Sequence, residues 1–165
     1  MRKSLFLLCP TDCLESIINM EFSSKNYFYT SLGNAFVSER ETTENIKCLI
    51  AKHQITNVCF VLSSDNEIIL DAMQGRFYDQ IKGLDDLYAQ IEKEKESSEV
   101  MYPTASREFS VISYFLNHKI RELEMELGSL SSQKIDFSGQ VYSAFEDSFR
   151  PIYSPLACLE KYNLN

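Results

Sequence analysis

Glycine and proline are scarce, with 5 and 4 in 165 residues, which sets aside collagen-like, fibrous and linker-rich chains. No apolar run approaches the roughly 18 residues that a membrane-spanning helix needs, so no membrane partner is expected. Basic side chains are the minority: 16 Lys and Arg against 24 Asp and Glu leave a formal charge of −8. That charge opposes attraction to phosphates, so a nucleic-acid partner is not expected either. Cysteines are too few for a secreted disulfide scaffold. Cys9, Cys13, Cys48, Cys59 and Cys158 form an odd set among mostly apolar neighbours and read as reduced thiols of a cytoplasmic protein. The two histidines, His53 and His118, lie beside no cysteine or carboxylate at ligand spacing, and no nucleophile triad can be read from them. Glycine-rich phosphate loops, zinc ribbons and basic patches interleaved with aromatics are all missing.

What is present is an ordinary globular composition, 44% hydrophobic and 24% charged. At this length a chain buries roughly two-thirds of its unfolded surface, and one domain over residues 1–165 is expected. The start, Met1-Arg2-Lys3-Ser4-Leu5-Phe6-Leu7-Leu8-Cys9, looks like a leader but has too short an apolar stretch, and reads instead as a first buried strand.

Leu5–Leu8 and Val58–Leu62 are short apolar runs without alternation, as in strands buried on both faces. Each is followed by the spacing of a capping box, Asp12 with Glu15 and Ser64 with Glu67, so each is read as a strand-to-helix turn. Leu14, Ile17 and Ile18 form a helical stripe, Tyr27–Thr30 a strand, and Thr43–His53 a helix with Cys48 on its inner side. The stretch from Gly83 to Val100 ends in Glu92-Lys93-Glu94-Lys95-Glu96, a charged helical face or a solvated connection. From Ser106 to Leu127 apolar residues recur at helical spacing up to Gly128, a natural stop. Lys134–Tyr142 alternates as a half-exposed strand, and Phe149–Tyr153 is its return. Strands alternating with helices imply an α/β fold with a mainly parallel central sheet, flanking helices and an antiparallel edge strand. In such folds ligands gather beyond the carboxyl ends of the strands.

Three stretches carry a resemblance. They are Leu8-Cys9-Pro10-Thr11-Asp12-Cys13, then Phe28-Tyr29-Thr30-Ser31-Leu32-Gly33-Asn34 leading on to Val58-Cys59-Phe60-Val61-Leu62-Ser63-Ser64-Asp65-Asn66, and Ile135–Tyr142 followed by Phe149-Arg150-Pro151-Ile152. In that order they resemble the β-class carbonic anhydrases. The first is similar to that family's Cys-x-Asp-x-Arg, the second to its Gly-Asn turn and its Gly-His-Ser-x-Cys-Gly, and the third to its closing hairpin. The resemblance implies zinc held by two Cys and one His, with an Asp and Arg nearby. In this register Cys9 stands at a ligand position, Thr11 at the Asp, Cys13 at the Arg, Ser63 at the His and Asn66 at the second Cys. A slip of one residue would bring Asp12 into the Asp role. A hydroxyl and an amide are not ordinary zinc ligands, so the chain is expected to hold no metal. Without metal there is no hydroxide to attack carbon dioxide.

The expected pocket is a degenerate one, built from Cys9, Thr11, Asp12, Cys13, Ser63, Ser64 and Asn66 and closed by their own hydrogen bonds or by water. The hydroxyls and free amides after the second strand could also hold a small anion or small-molecule ligand, with the charge of Asp65 opposing an anion. The family likeness implies a homodimer, although the chain starts only a few residues before its first strand, where the family carries a helical arm. The reading is thus a zinc-less, non-catalytic relative kept for binding or assembly. Its rivals are a working carbon dioxide hydratase with zinc on Cys9, Asp12 and Cys13, and an unrelated small-molecule-binding α/β module.

Overall fold

A computed structural model describes residues 2–36, 40–101, 106–127 and 134–154. Gly128, the expected helix stop, and Cys158 lie outside them. Five strands, β1 (Lys3–Leu8), β2 (Lys25–Thr30), β3 (Asn57–Ser63), β4 (Asp136–Ser143) and β5 (Ser148–Pro151), form one sheet in the order β2-β1-β3-β4-β5. All pairs are parallel except β4 with β5. The helices are α1 (Glu15–Glu21), α2 (Arg40–His53), α3 (Glu67–Gln74), α4 (Asp85–Met101) and α5 (Arg107–Leu127). This is the mainly parallel α/β architecture with an antiparallel edge expected from the sequence.

The unbroken apolar runs have the cause inferred for them. Along β1, Leu5 and Leu7 enter a large core while Phe6 and Leu8 enter a smaller one on the opposite face. Along β3, Val58, Phe60 and Leu62 join the first, and Cys59 and Val61 the second. Side chains alternate across a strand, so a strand covered on both sides must be apolar at every position. The large core packs residues of α2, α3, α4 and α5 against the sheet, whereas the small one contains only Leu14 and Ile18 from the α1 region among its fully covered helical contacts. β2 and β5 form the edges and are half exposed. Pro151 closes β5, and an edge strand tolerates a residue with no N–H to give.

Some local readings need correction. Cys48 is exposed, not turned inward; Ile46 and Ile50 fill the buried stripe of α2. Of the two readings of the charged stretch before Val100, the structure has the helical one, α4, with Leu87, Tyr88 and Ile91 buried beneath the charged face; the departure is Glu94, which is only 1% exposed. Neither capping box forms as expected. Leu14, not Asp12, precedes the first turn of α1, and Asn66, not Ser64, caps α3 by accepting from the Ile69 amide at 2.9 Å. Both displaced residues stand in the turns at the strand ends.

Candidate functional site

β1 and β3 are neighbours and run the same way, so their carboxyl ends deliver two turns to one place. After β1, Pro10–Asp12 makes a single 3-10 turn, which Cys13 leaves in the left-handed region at φ 52°. From this turn the Asp12 carboxylate reaches the turn that follows β3. After β3, Ser63–Asn66 opens α3. Asp12 Oδ2 accepts from the Ser63 backbone N–H at 2.8 Å, and its Oδ1 accepts from Asn66 Nδ2 at 2.7 Å. One carboxylate therefore ties the two turns together. Burial pushes the pKa of Asp12 up, while the donors from Ser63 and Asn66 pull against that rise without cancelling it.

Asn66 is committed at both ends, its carbonyl capping α3 and its amide serving Asp12. The Ser63 hydroxyl donates to Asp65. Thr11 turns away from this group: its hydroxyl lies 3.0 Å from the Cys9 sulfur. Cys9 is 1% exposed, and its sulfur also accepts from the Gly33 N–H at 3.0 Å. Cys13 is exposed, with its sulfur 3.5 Å from the Pro10 carbonyl. Ser64 contributes through its backbone, its N–H donating to the Tyr142 carbonyl at 2.8 Å, which fastens this turn to the end of β4. Of the seven residues read from the sequence, the structure joins Asp12, Ser63 and Asn66 in one network, pairs Cys9 with Thr11 beside it, and leaves the Cys13 and Ser64 side chains outside.

Two further residues shape this end of the sheet. Gly33 sits at φ +59°, and a Cβ there would come within 2.5 Å of Leu87 Cδ1 and 3.0 Å of Ile68 Cγ2; only glycine lets its N–H approach Cys9 so closely. Asn34, fully buried, donates from Nδ2 to the Leu7 carbonyl at 2.9 Å and to the Val61 carbonyl at 2.8 Å, clamping β1 to β3 from above. In the sequence Asn34 reads only as part of the Gly33-Asn34 turn, and nothing in its neighbours signals these two long-range bonds.

No protein-family model matches the sequence, and no curated protein matches it. Solved structures do. The β-carbonic anhydrase CafD of Aspergillus fumigatus superposes with a TM-score of 0.72 at 13% identity, over 93% of this chain and 90% of that one. A tetrameric β-carbonic anhydrase from the ascomycete Sordaria macrospora gives 0.71 at 12% identity, over 93% and 81%. The Coccomyxa β-carbonic anhydrase in complex with acetazolamide gives 0.68 at 8% identity, over 93% and 72%.

Zinc does not suit the residues at these turns. It takes thiolate, imidazole or carboxylate donors. Cys9 supplies one, but Ser63 offers a hydroxyl already given to Asp65, and Asn66 presents its N–H to Asp12 rather than a lone pair. Cys9, Asp12 and Cys13, the alternative set, do not converge: among the described residues no group of three or more His, Cys, Asp and Glu is placed to hold a metal ion. A parallel sheet in the order β2-β1-β3-β4-β5 with its antiparallel edge, matched over nine-tenths of the chain, is the β-carbonic anhydrase fold.

Proposed function

We propose that this chain is a zinc-less, non-catalytic protein of the β-carbonic anhydrase fold that works by binding or assembly. The observation that carries this reading is the Asp12 network. A carboxylate that receives the Ser63 N–H and the Asn66 amide links the two turns by hydrogen bonds, where a metal ion in the fold's enzymes would need ligand side chains from both. Asn66 cannot serve a metal without giving up either the cap of α3 or its bond to Asp12. The seven residues Cys9, Thr11, Asp12, Cys13, Ser63, Ser64 and Asn66 then act as structure, and the earlier alternative of a small anion held at this turn meets the charges of Asp12 and Asp65.

Assembly as a homodimer fits the half-exposed edge strands β2 and β5, which offer unpaired backbone groups to a second copy. Reduced cysteines suit a cytoplasmic setting: Cys9, Cys13, Cys48 and Cys59 are all free thiols. No helix among the described residues is long and apolar enough to cross a membrane, and the charge of −8 disfavours nucleic acid.

Elemental analysis of protein purified without chelators, with a carbon dioxide hydration assay on the same sample, tests the reading. Zinc far below one per chain and no hydration above buffer are expected. Stoichiometric zinc lost in Cys9→Ser would instead establish the rearranged hydratase. Light scattering reads the assembly, with a mass near twice 19.1 kDa expected.

A further inference from the structure

Away from the Asp12 network, a cavity opens where β5 stops short. β5 pairs with β4 only along Gln140–Ser143, and after Pro151 the chain turns from the sheet edge toward α5. The Ile152 N–H still donates to the Gly139 carbonyl at 3.1 Å, but the Tyr153 carbonyl accepts from Asn117 Nδ2 of α5 at 2.9 Å. A space of about 280 Å³ remains between α5, the first half of β4 and this departing segment. Asn117, Ile120, Arg121 and Glu124 line it from α5, at the three- and four-residue spacings of one helical face. Ile120, Phe137 and Ile152 give it apolar walls. Asn117 interrupts them. It is only 4% exposed, and its Nδ2 is spent on the carbonyls of Ser113 and Tyr153, each at 2.9 Å. Its Oδ1 accepts from no other described residue. That oxygen is not among the side-chain atoms sealed off inside the core, so it faces the cavity that Asn117 lines.

We infer that this cavity binds a small neutral aromatic alcohol of the phenol class, whose hydroxyl donates to Asn117 Oδ1 while its ring lies among Ile120, Phe137 and Ile152. An acceptor held in an apolar pocket costs free energy unless a donor reaches it, and small-molecule sites are mostly apolar with a few placed polar groups. The lining selects a neutral ligand. Its only charged residues, Arg121 and Glu124, are of opposite sign and offer no net charge to an ion, and an ammonium carried in to Asn117 would exchange its water for a single amide oxygen. A hydroxyl brings one donor, which that oxygen satisfies. The volume, just below the usual range of roughly 300–1,000 Å³ for such sites, suits a molecule of one ring. None of these residues takes part in the Asp12 network, so this inference stands or falls separately from the proposed lack of catalysis.

Titration of the full chain with phenol, followed by the amide resonances of its nuclear magnetic resonance spectrum, tests it, with toluene as the same shape lacking the hydroxyl and benzylammonium as the charged alternative. Phenol should bind saturably with a Kd of about 1 mM or tighter and shift the side-chain amide resonances of Asn117. Toluene should bind at least about fivefold more weakly, because it leaves the Asn117 oxygen without a donor, and benzylammonium more weakly than phenol. Ile120→Phe, which fills the cavity from α5, should weaken phenol binding at least about tenfold with circular dichroism unchanged; if that variant does not fold, Ile152→Phe makes the same test from the opposite wall. Absence of saturable phenol binding, toluene or benzylammonium binding as tightly as phenol, shifts that leave Asn117 untouched, or undiminished affinity in the folded variant overturns the inference.

Discussion

Two aspartates in this molecule do the same mechanical job and come out with opposite acidities. Asp12 ties the turn after β1 to the turn after β3. Asp71, in α3, ties back the loop that follows its own helix: it accepts from the Phe77 amide at 2.9 Å, from the Tyr78 amide at 3.1 Å, and from the Tyr88 hydroxyl. Burial raises the pKa of both. At Asp12 it wins over two donors, whereas at half-exposed Asp71 the Tyr88 hydroxyl and two amides outweigh it and the pKa falls. A carboxylate cross-link is thus no single device. Placed in the sheet's end it holds a charge at some expense, and placed at the surface it welcomes one.

Replacing a partner of Asp12 should produce the largest effect. Asn66→Ala removes the cap of α3, worth about 1 kcal/mol, and leaves one oxygen of a mostly buried carboxylate unpaired, worth about 2 kcal/mol more. Urea unfolding should show the sum, about 3 kcal/mol; a loss below 1 kcal/mol would mean that water replaces the amide freely.

Asp12→Ala comes next, at about 2 kcal/mol, because it strands the Ser63 N–H and the Asn66 amide but also relieves a buried charge. The pH dependence separates the two aspartates. The folded pKa of Asp12 lies above its ordinary value of 3.8, so in the window just above 3.8 the folded state holds more protons than the unfolded one. Its contribution is therefore greatest below the window and falls as pH rises through it. Asp71, displaced downward from 3.8, contributes fully above that value and loses its contribution as pH falls toward its lower folded pKa. Unfolding of wild type, Asp12→Ala and Asp71→Ala at about pH 3 and about pH 7 should show the two differences moving in opposite directions.

The smallest effect belongs to Asp71→Asn. Phe77 is 86% exposed and water can replace most of what its amide loses, so global stability should hardly move. Amide hydrogen exchange at Phe77 and Tyr78 should quicken about fivefold, the equivalent of about 1 kcal/mol for one weakened hydrogen bond. Exchange as slow as in the parent would show that the loop is held by other contacts.

The same contrast explains what the sequence disclosed. Strands β1 and β3 were legible because burial on both faces leaves an uninterrupted apolar run, and α5 because Phe109, Ile112, Leu116, Ile120, Leu123 and Leu127, all buried, recur at helical spacing. The inner side of α4 was hidden by its outer one: Leu87, Tyr88 and Ile91 are outnumbered in the text by the charges of Glu92–Glu96. Cys48 misled because a small apolar residue beside Leu49 fits either face. At the turns, Asp12, Ser63 and Asn66 could be picked out by residue type and by their place after two strands. Their partners could not, because an aspartate ahead of a helix reads equally as a cap, and its bonds to Ser63 and Asn66 exist only once β1 and β3 lie side by side. Asn34 shows the same limit: its two bonds to β1 and β3 depend on a fold already formed.

The order of strands has a consequence for the chain as it is being made. β3 finds its second neighbour only in β4, with Asn57 opposite Asp136 and Ser63 opposite Tyr142, and α4 and α5 lie between them in the sequence. A growing polypeptide that has completed β2-β1-β3 therefore presents Val58–Leu62 as an open, apolar edge until residues beyond 143 have left the ribosome. Closing so long a loop is slow, and such an edge is a template for pairing with another chain. The most vulnerable moment in the life of this molecule falls before it is finished, and the strand at risk is the one that later lies at the centre of its sheet.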